Sequence, residues 1–170
     1  MSRDIRAAGP ASKDPKPGLA QSSATYQFVG FRLGGEDYAI AITKIQEIIA
    51  MKPITRIPQV PGFIEGLINL RGSVIPVVNL RTLFGLPHRE LDDETRTIIV
   101  NVGDRTIGYI VDEVTQVMRI AGDQIQAPPV SITAVSKQHI AGLAQLEDRL
   151  LVILEIERLL KPEELELTSG

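Results

Sequence analysis

Hydrophobic and polar positions alternate along this chain in short runs, and the runs come in pairs. Residues 64–87, IEGLINLRGSVIPVVNLRTLFGLP, hold two apolar runs, 66–70 and 74–78, on either side of the polar pair Arg71-Gly72. Runs this short and this rich in Val, Ile and Leu predict buried strands joined by a tight turn, with Gly72 able to supply φ > 0. A short helical turn is predicted over 79–84, closing against Gly85. The same pattern returns 76 positions later: Gly66, Leu67, Leu70 and Leu83 fall on Gly142, Leu143, Leu146 and Leu159. In the same frame Val74, Val77, Val78 and Leu80 fall on Leu150, Ile153, Leu154 and Ile156.

The stretch ahead of each hairpin repeats as well, with an offset of 69. Leu33-Gly34 lies over Val102-Gly103, Tyr38 over Ile107, Ile42 over Val111, Ile45 over Val114 and Ile48 over Val117. Strand, glycine turn, strand, bend, strand, hairpin is therefore written twice, which predicts two similar β units of about 70 residues each. A unit present only twice argues against a solenoid or propeller, which needs three or more.

In chain order, residues 1–24 are polar, without periodicity and of net charge +2, and are expected to be a mobile tail. Residues 28–33 and 37–42 form a hairpin around Gly34-Gly35, with Tyr38, Ile40 and Ile42 on one face and Ala39 and Ala41 on the other. Residues 43–51 are expected to start as a helical turn capped by Thr43 and to continue as a strand. Three prolines at 53, 58 and 61 make an extended surface loop. Pro76 cannot donate to a ladder, so its strand is expected at an edge, at a bulge, or both. The polar stretch 87–95 is the boundary between units, followed by strands at 96–102, 105–112 and 113–120. A long loop at 122–136, a short helix at 155–160 and an acidic end at 162–170 complete the chain.

Composition narrows the class. With 170 residues, 44% of them apolar, the chain can close one globule, and no apolar run approaches the roughly 20 residues of a membrane-spanning helix. Residues 1–24 lack the apolar stretch of a secretory signal, so a cytoplasmic location is the expectation. No cysteine means no disulfide framework, thiol nucleophile or thiolate metal site. A net charge of −3 and 4% aromatics offer nucleic acid neither general attraction nor stacking platforms.

Catalytic chemistry has little to work with. His88 sits in the polar joint and His139 opens a predicted strand; Ser131 and Ser136 lie near His139 in sequence, but no strand-turn-helix elbow presents them. Asp92-Asp93-Glu94 lacks the spacing and glycine of a calcium loop, and Gly34-Gly35 and Gly103-Asp104 join strands rather than open helices. No catalytic, cofactor or metal residue is assigned, and no enzyme activity is expected. What remains is β surface with a few unusual residues. Arg71 occupies the turn of the central hairpin and Glu47 closes the bend before it, where charges are either merely solvated or aimed at a partner. Gly66 opens a buried strand, which it weakens unless a backbone or a partner must approach closely; its recurrence as Gly142 favours a structural reason.

These residues together resemble the CheW family of bacterial chemotaxis coupling proteins. The carrying motifs are YAIAI at 38–42 with IQEI at 45–48, PGFIEG at 61–66, NLRG at 69–72, VVNLR at 77–81, GYIVD at 108–112, and Gly142-Leu143 ahead of 150–160. They run over about residues 26–161, nearly all of the chain outside the tail. The resemblance implies a mainly β fold of two similar five-stranded SH3-like barrel subdomains on a shared core, with short helices. The implied domain covers 25–165, with subdomains near 25–90 and 91–165, exchange of a strand or helix between them left open, and 166–170 as a C-terminal end.

It also implies a non-catalytic adaptor, cytoplasmic and recruited to membrane receptor arrays. Its partners would be the regulatory domain of the histidine kinase CheA, the cytoplasmic tips of methyl-accepting chemoreceptors and other CheW-like domains. Flagellar chemotaxis is the expected output, with twitching motility or surface attachment as alternatives on the same fold and a small hydrolase as the alternative of another class. The implied partner-binding positions are Ile45, Glu47, Gly66, Arg71 and Val117, to which Ile42 is added as a wall of the expected groove. There Glu47 and Arg71 would hold one another beside an apolar groove built by Ile42 and Ile45, ready for a receptor helix.

Overall fold

The predicted runs fold as ten strands in the computed structural model, which describes residues 24–129, 139–161 and 163–164. Residues 1–23 of the expected tail (1–24), residues 130–136 of the long loop and the end at 166–170 lie outside the described residues. The strands are β1 (Thr25–Leu33), β2 (Glu36–Ala41), β3 (Ile45–Ala50), β4 (Ile64–Leu70), β5 (Ser73–Asn79), β6 (Arg96–Val102), β7 (Arg105–Val111), β8 (Glu113–Ala121), β9 (Ile140–Leu146) and β10 (Arg149–Leu154). One short helix, α1 (Leu80–Leu83), follows β5, and 3-10 turns stand at Ile42–Lys44, Gly122–Gln124 and Ile156–Arg158. No helix among the described residues is long and apolar enough to cross a membrane.

Two five-stranded sheets result, ordered β8-β1-β2-β10-β9 and β3-β6-β7-β5-β4. The sheets are built alike but do not follow the two halves of the sequence. The chain leaves the first sheet at the Ile42–Lys44 turn, builds the second through β7, and returns through Asp112 into β8. In each sheet one parallel pair, β2 with β10 or β5 with β7, joins two antiparallel groups.

Closure of each unit repeats too. The backbone beyond β3 returns to β4 through a Thr55–Leu67 bridge, and the backbone beyond β8 returns to β9 through a Gln126–Leu143 bridge. Each bridge carries two backbone hydrogen bonds, all four of 2.8 Å.

Burial follows this plan. One apolar cluster lies between the sheets and takes Phe31, Leu33 and Ile40 from the first, and Val78, Ile98, Val100 and Tyr109 from the second. A second cluster, including Phe28, Ile120, Leu151 and Ile153, fills the first sheet's own curve; a third, including Ile68, Ile75, Val77 and Ile99, fills the other's. A strand facing two clusters has no polar side, so Ala39 and Ile40 on β2 are both buried rather than dividing into an inner and an outer face.

Two local expectations change. The turn after β2 is capped two residues earlier, with Ala41 rather than Thr43 at its cap position and no side-chain cap. Pro76 is not at an edge: β5 lies between β4 and β7. It precedes the parallel ladder with β7, which runs from Val77 to Asn79, so it interrupts no rung of that ladder. The expected irregularity is on the partner, where the β4 register shifts between Ile64 and Gly66 opposite Val78 and Val77.

Candidate functional site

The β4–β5 turn presents Arg71. Both turn residues are left-handed, Arg71 at φ +53° and Gly72 at φ +91°, which matches the twist of a two-residue hairpin loop. The Gly72 N–H donates to Asn69 Oδ1 at 2.9 Å and fixes the loop. The Arg71 side chain is 68% exposed and reaches the Glu47 carboxylate on β3 in a charge-assisted hydrogen bond. Glu47 is aimed there by a bulge: the β3–β6 register shifts between Ile45 and Glu47, leaving Gln46 as the extra residue. Ile45 consequently packs against the central core, while Ile48 is exposed. Arg71, Gln46, Val74, Pro76, Asp104 and Thr106 are among the residues lining a cleft of about 700 Å³ at this end of the second sheet.

Val117 is presented by the same device in the other sheet. The β1–β8 register shifts between Val29 and Phe31, β8 carries the extra residue, and Val117 stands 57% exposed. Gly30 permits this, since a Cβ there would lie 2.6 Å from Met118 Cε and 2.7 Å from Thr115 Oγ1. Ile42 begins the 3-10 turn between the sheets, which Lys44 anchors through an ion pair to Glu157. It lines a separate cleft of about 300 Å³ with Tyr26, Phe28, Thr43 and Arg119. The structure thus joins Glu47 to Arg71 but does not gather Ile42 and Arg71 into one groove, and it sets Val117 on the other sheet.

Gly66 has an internal reason to be glycine. Its φ is +150°, and a Cβ would overlap the Thr55 carbonyl oxygen and come within 2.8 Å of Ile54 Cγ2. The proline loop therefore crosses β4 where a side chain would stand. Gly142 marks the matching crossing, with Ile125 Cγ2 2.5 Å and the Gln126 oxygen 3.2 Å from its Cβ position.

Sequence reasoning gave no role to the polar residues of the VVNLR and GYIVD stretches, and these form the main buried polar hub. Asp112 Oδ2 accepts from Arg81 Nη1 at 2.6 Å and the Gly34 N–H at 2.9 Å, and pairs with Arg89 Nη1 at 3.0 Å. The hub ties α1 and the 87–95 joint to the crossing between β7 and β8. Attraction to Asp112 is the largest influence raising the Arg89 pKa above its ordinary value. Asn79 caps α1 by accepting from the Thr82 N–H and donates its Nδ2–H to Glu65 Oε1. The signal was a lone polar residue at the end of each apolar run. Exposed Ile48, Val74 and Leu150 were also unassigned, although the repeat had already paired Ile48 with Val117 and Val74 with Leu150.

The two imidazoles have unrelated surroundings. His88 is exposed beside Glu90, whereas His139 stacks on Phe84 with ring centroids 6.0 Å apart. Burial lowers the His139 pKa, opposed by the charge of Glu164. Among the described residues no group of three His, Asp or Glu could hold a metal ion.

A duplicated β module with charges and apolar side chains held out on turns and bulged edges is the architecture of a CheW-like domain, and residues 27–164 match the model of that domain. The chemotaxis protein CheW of Klebsiella aerogenes is 37% identical over 152 residues, covering 89% of this chain and 92% of the relative. CheW of Helicobacter pylori is 34% identical and covers 96% and 99%. The crystal structure of the scaffolding protein TtCheW from Thermoanaerobacter tengcongensis superposes with a TM-score of 0.76 at 34% identity, covering 83% of this chain and 91% of that one. The chain belongs to the CheW family.

Proposed function

We propose that this chain is a non-catalytic adaptor that couples membrane chemoreceptors to the histidine kinase CheA in chemotaxis signalling. The observation that carries the reading is Arg71. A non-glycine residue in the left-handed region costs roughly 1–2 kcal/mol, while an exposed ion pair such as Arg71–Glu47 returns at most about 1 kcal/mol. A glycine or asparagine would serve the turn as well, so folding alone does not account for the arginine.

Two faces are available for two partners. The Arg71–Glu47 end of the second sheet, with exposed Val74, suits the regulatory domain of the kinase. The edges carrying Val117, Ile42 and Ile45 suit the apolar stripe of a receptor helix. Gly66 acts indirectly by letting the proline loop dock. Other CheW-like domains form a third class of partner. Contacts of about micromolar strength, roughly −8 kcal/mol each, suffice when many are linked in an array.

The test is Arg71→Ala, assayed by thermal melting and by titration against the kinase regulatory domain and a receptor tip fragment. The melt is expected to be nearly unchanged and binding to fall. A large drop in melting temperature, with binding retained per folded molecule, would refute the reading.

A further inference from the structure

The internal repeat places two clefts at matching positions, one filled and one open. In the second sheet a cavity of only about 10 Å³ remains among Thr95, Ile110, Asp112 and the joint residues Arg89, Glu90 and Leu91. Shifted by the repeat offset of 69, Thr95, Ile110 and Asp112 fall on Tyr26, Ala41 and Thr43. Those three residues line the open cleft of about 300 Å³ beside Ile42 in the first sheet. The sheets correspond strand for strand, β6 with β1 and β7 with β2, so the two spaces are one feature met twice. The difference lies in what covers it.

Residues 87–95 reach β6 by folding over the end of their own sheet. Arg89 Nη1 pairs with Asp112 at 3.0 Å, the Pro87 oxygen accepts from Arg81 Nε at 3.0 Å, and a turn closed by the Thr95 N–H on the Asp92 oxygen leads into the strand. The same offset makes residues 18–26 the counterparts of 87–95, with Ala20, Gln21 and Ser22 matching Arg89, Glu90 and Leu91. The root of that segment is fixed at the rim of the open cleft, where the Ala24 oxygen accepts from the Gly122 N–H at 2.8 Å. Leu19 is the one large aliphatic side chain between Arg6 and Thr25. Five residues of chain span up to about 17 Å, enough to bring it over Tyr26, Phe28 and Ile42.

We propose that residues 19–22 fold back over the Ile42 cleft as the joint folds over its own, with Leu19 against the apolar wall, so that the chain's own segment competes with a partner helix for this edge. The cover is weaker than the joint, because Ala20 and Thr43 cannot repeat the Arg89–Asp112 ion pair. Tethering at Ala24 still gives an effective concentration in the millimolar range, which keeps even a weak contact closed for part of the time. A partner that binds only the open form then shows an affinity reduced by the open fraction. The competition rests on the reading that the Ile42 edge receives a receptor helix; the cover itself does not.

Amide spectra of the full-length chain report the cover without a partner. Leu19→Asp is expected to shift the Ile42, Thr43 and Arg119 signals and to tighten binding of a receptor tip fragment about threefold, the gain from freeing an edge covered about two thirds of the time. Ala20→Arg with Thr43→Asp installs the joint's ion pair and should weaken that binding about threefold relative to Thr43→Asp alone, an effect that high salt removes. Melting curves confirm that each variant is folded. Amide signals at Ile42, Thr43 and Arg119 that do not respond to Leu19→Asp overturn the cover. Responsive signals with the same receptor affinity in every variant overturn the competition. A fragment that binds no form of the chain, with the signals still responsive, overturns the adaptor reading and leaves the cover standing.

Discussion

Gly66→Ala is the substitution whose cost can be worked most fully from the structure. The added methyl would overlap the Thr55 carbonyl and press on Ile54 Cγ2 at 2.8 Å, so the proline loop must lift from β4. Lifting it breaks the Thr55 N–H to Leu67 and Leu67 N–H to Thr55 hydrogen bonds, each 2.8 Å long. Two net hydrogen bonds are worth about 1–3 kcal/mol, and forcing alanine to φ +150° adds about 1–3 kcal/mol. The expected loss is about 4 kcal/mol. Gly142→Ala is the internal control, because it meets the Ile125 methyl at 2.5 Å and the Gln126 oxygen only at 3.2 Å, with no left-handed backbone. Overpacking of that kind costs about 1–3 kcal/mol. Urea denaturation followed by circular dichroism should rank Gly66→Ala well below Gly142→Ala. Hydrogen exchange should show the Thr55 and Leu67 amides losing protection first. Equal stabilities for the two variants would refute the account of the barrel closure.

Further outcomes follow from single side chains. Arg71→Gly should leave the urea midpoint unchanged or raise stability by about 1 kcal/mol through relief of the left-handed strain, while partner titrations lose affinity. Leu154→Ala, in the core between the sheets, should cost about 2–5 kcal/mol by equilibrium denaturation. Tyr109→Phe should gain about 1 kcal/mol in the same assay, because the buried Tyr109 hydroxyl has no hydrogen-bond partner among the described residues. His139 gives a pH signature. Its folded pKa is lowered, so the unfolded chain takes up the proton first, and stability present above about pH 6.5 is lost as pH falls toward the folded value. The decline in urea midpoint between about pH 7.5 and 5.5 should be shallower in His139→Phe, which keeps the stack on Phe84.

The hairpins were legible because a two-residue period and a glycine turn are local properties: Gly34-Gly35, Arg71-Gly72 and the recurrence at 142 mark strand ends directly. Sheet membership was not legible, because alternation tells which face a residue takes and says nothing of the neighbouring strand. Thus β5 and β7 pair in parallel although about 30 residues separate the paired positions, more than the roughly a dozen that a parallel crossover needs. Pro76 misled for the same reason, its strand being interior yet lacking a β7 rung at that residue. The contact between Glu47 and Arg71 came from the family resemblance, since a bulge at Gln46 has no signature in hydrophobicity. Asp112 looked like a strand terminus and proved to be where three donors converge, which only the folded path brings together.

The exchange of strands between sheets has a consequence for how the molecule is made. The second sheet has all its strands once β7 has left the ribosome, but β1 and β2 must wait for β10, the last strand synthesised, before their sheet is whole. Until then the oldest hairpin of the nascent chain keeps the outer edge of β2 open, the kind of edge other chains can pair with. The duplication therefore cannot be cut into two working halves, and a message truncated after β8 would yield a chain with that edge permanently unfilled.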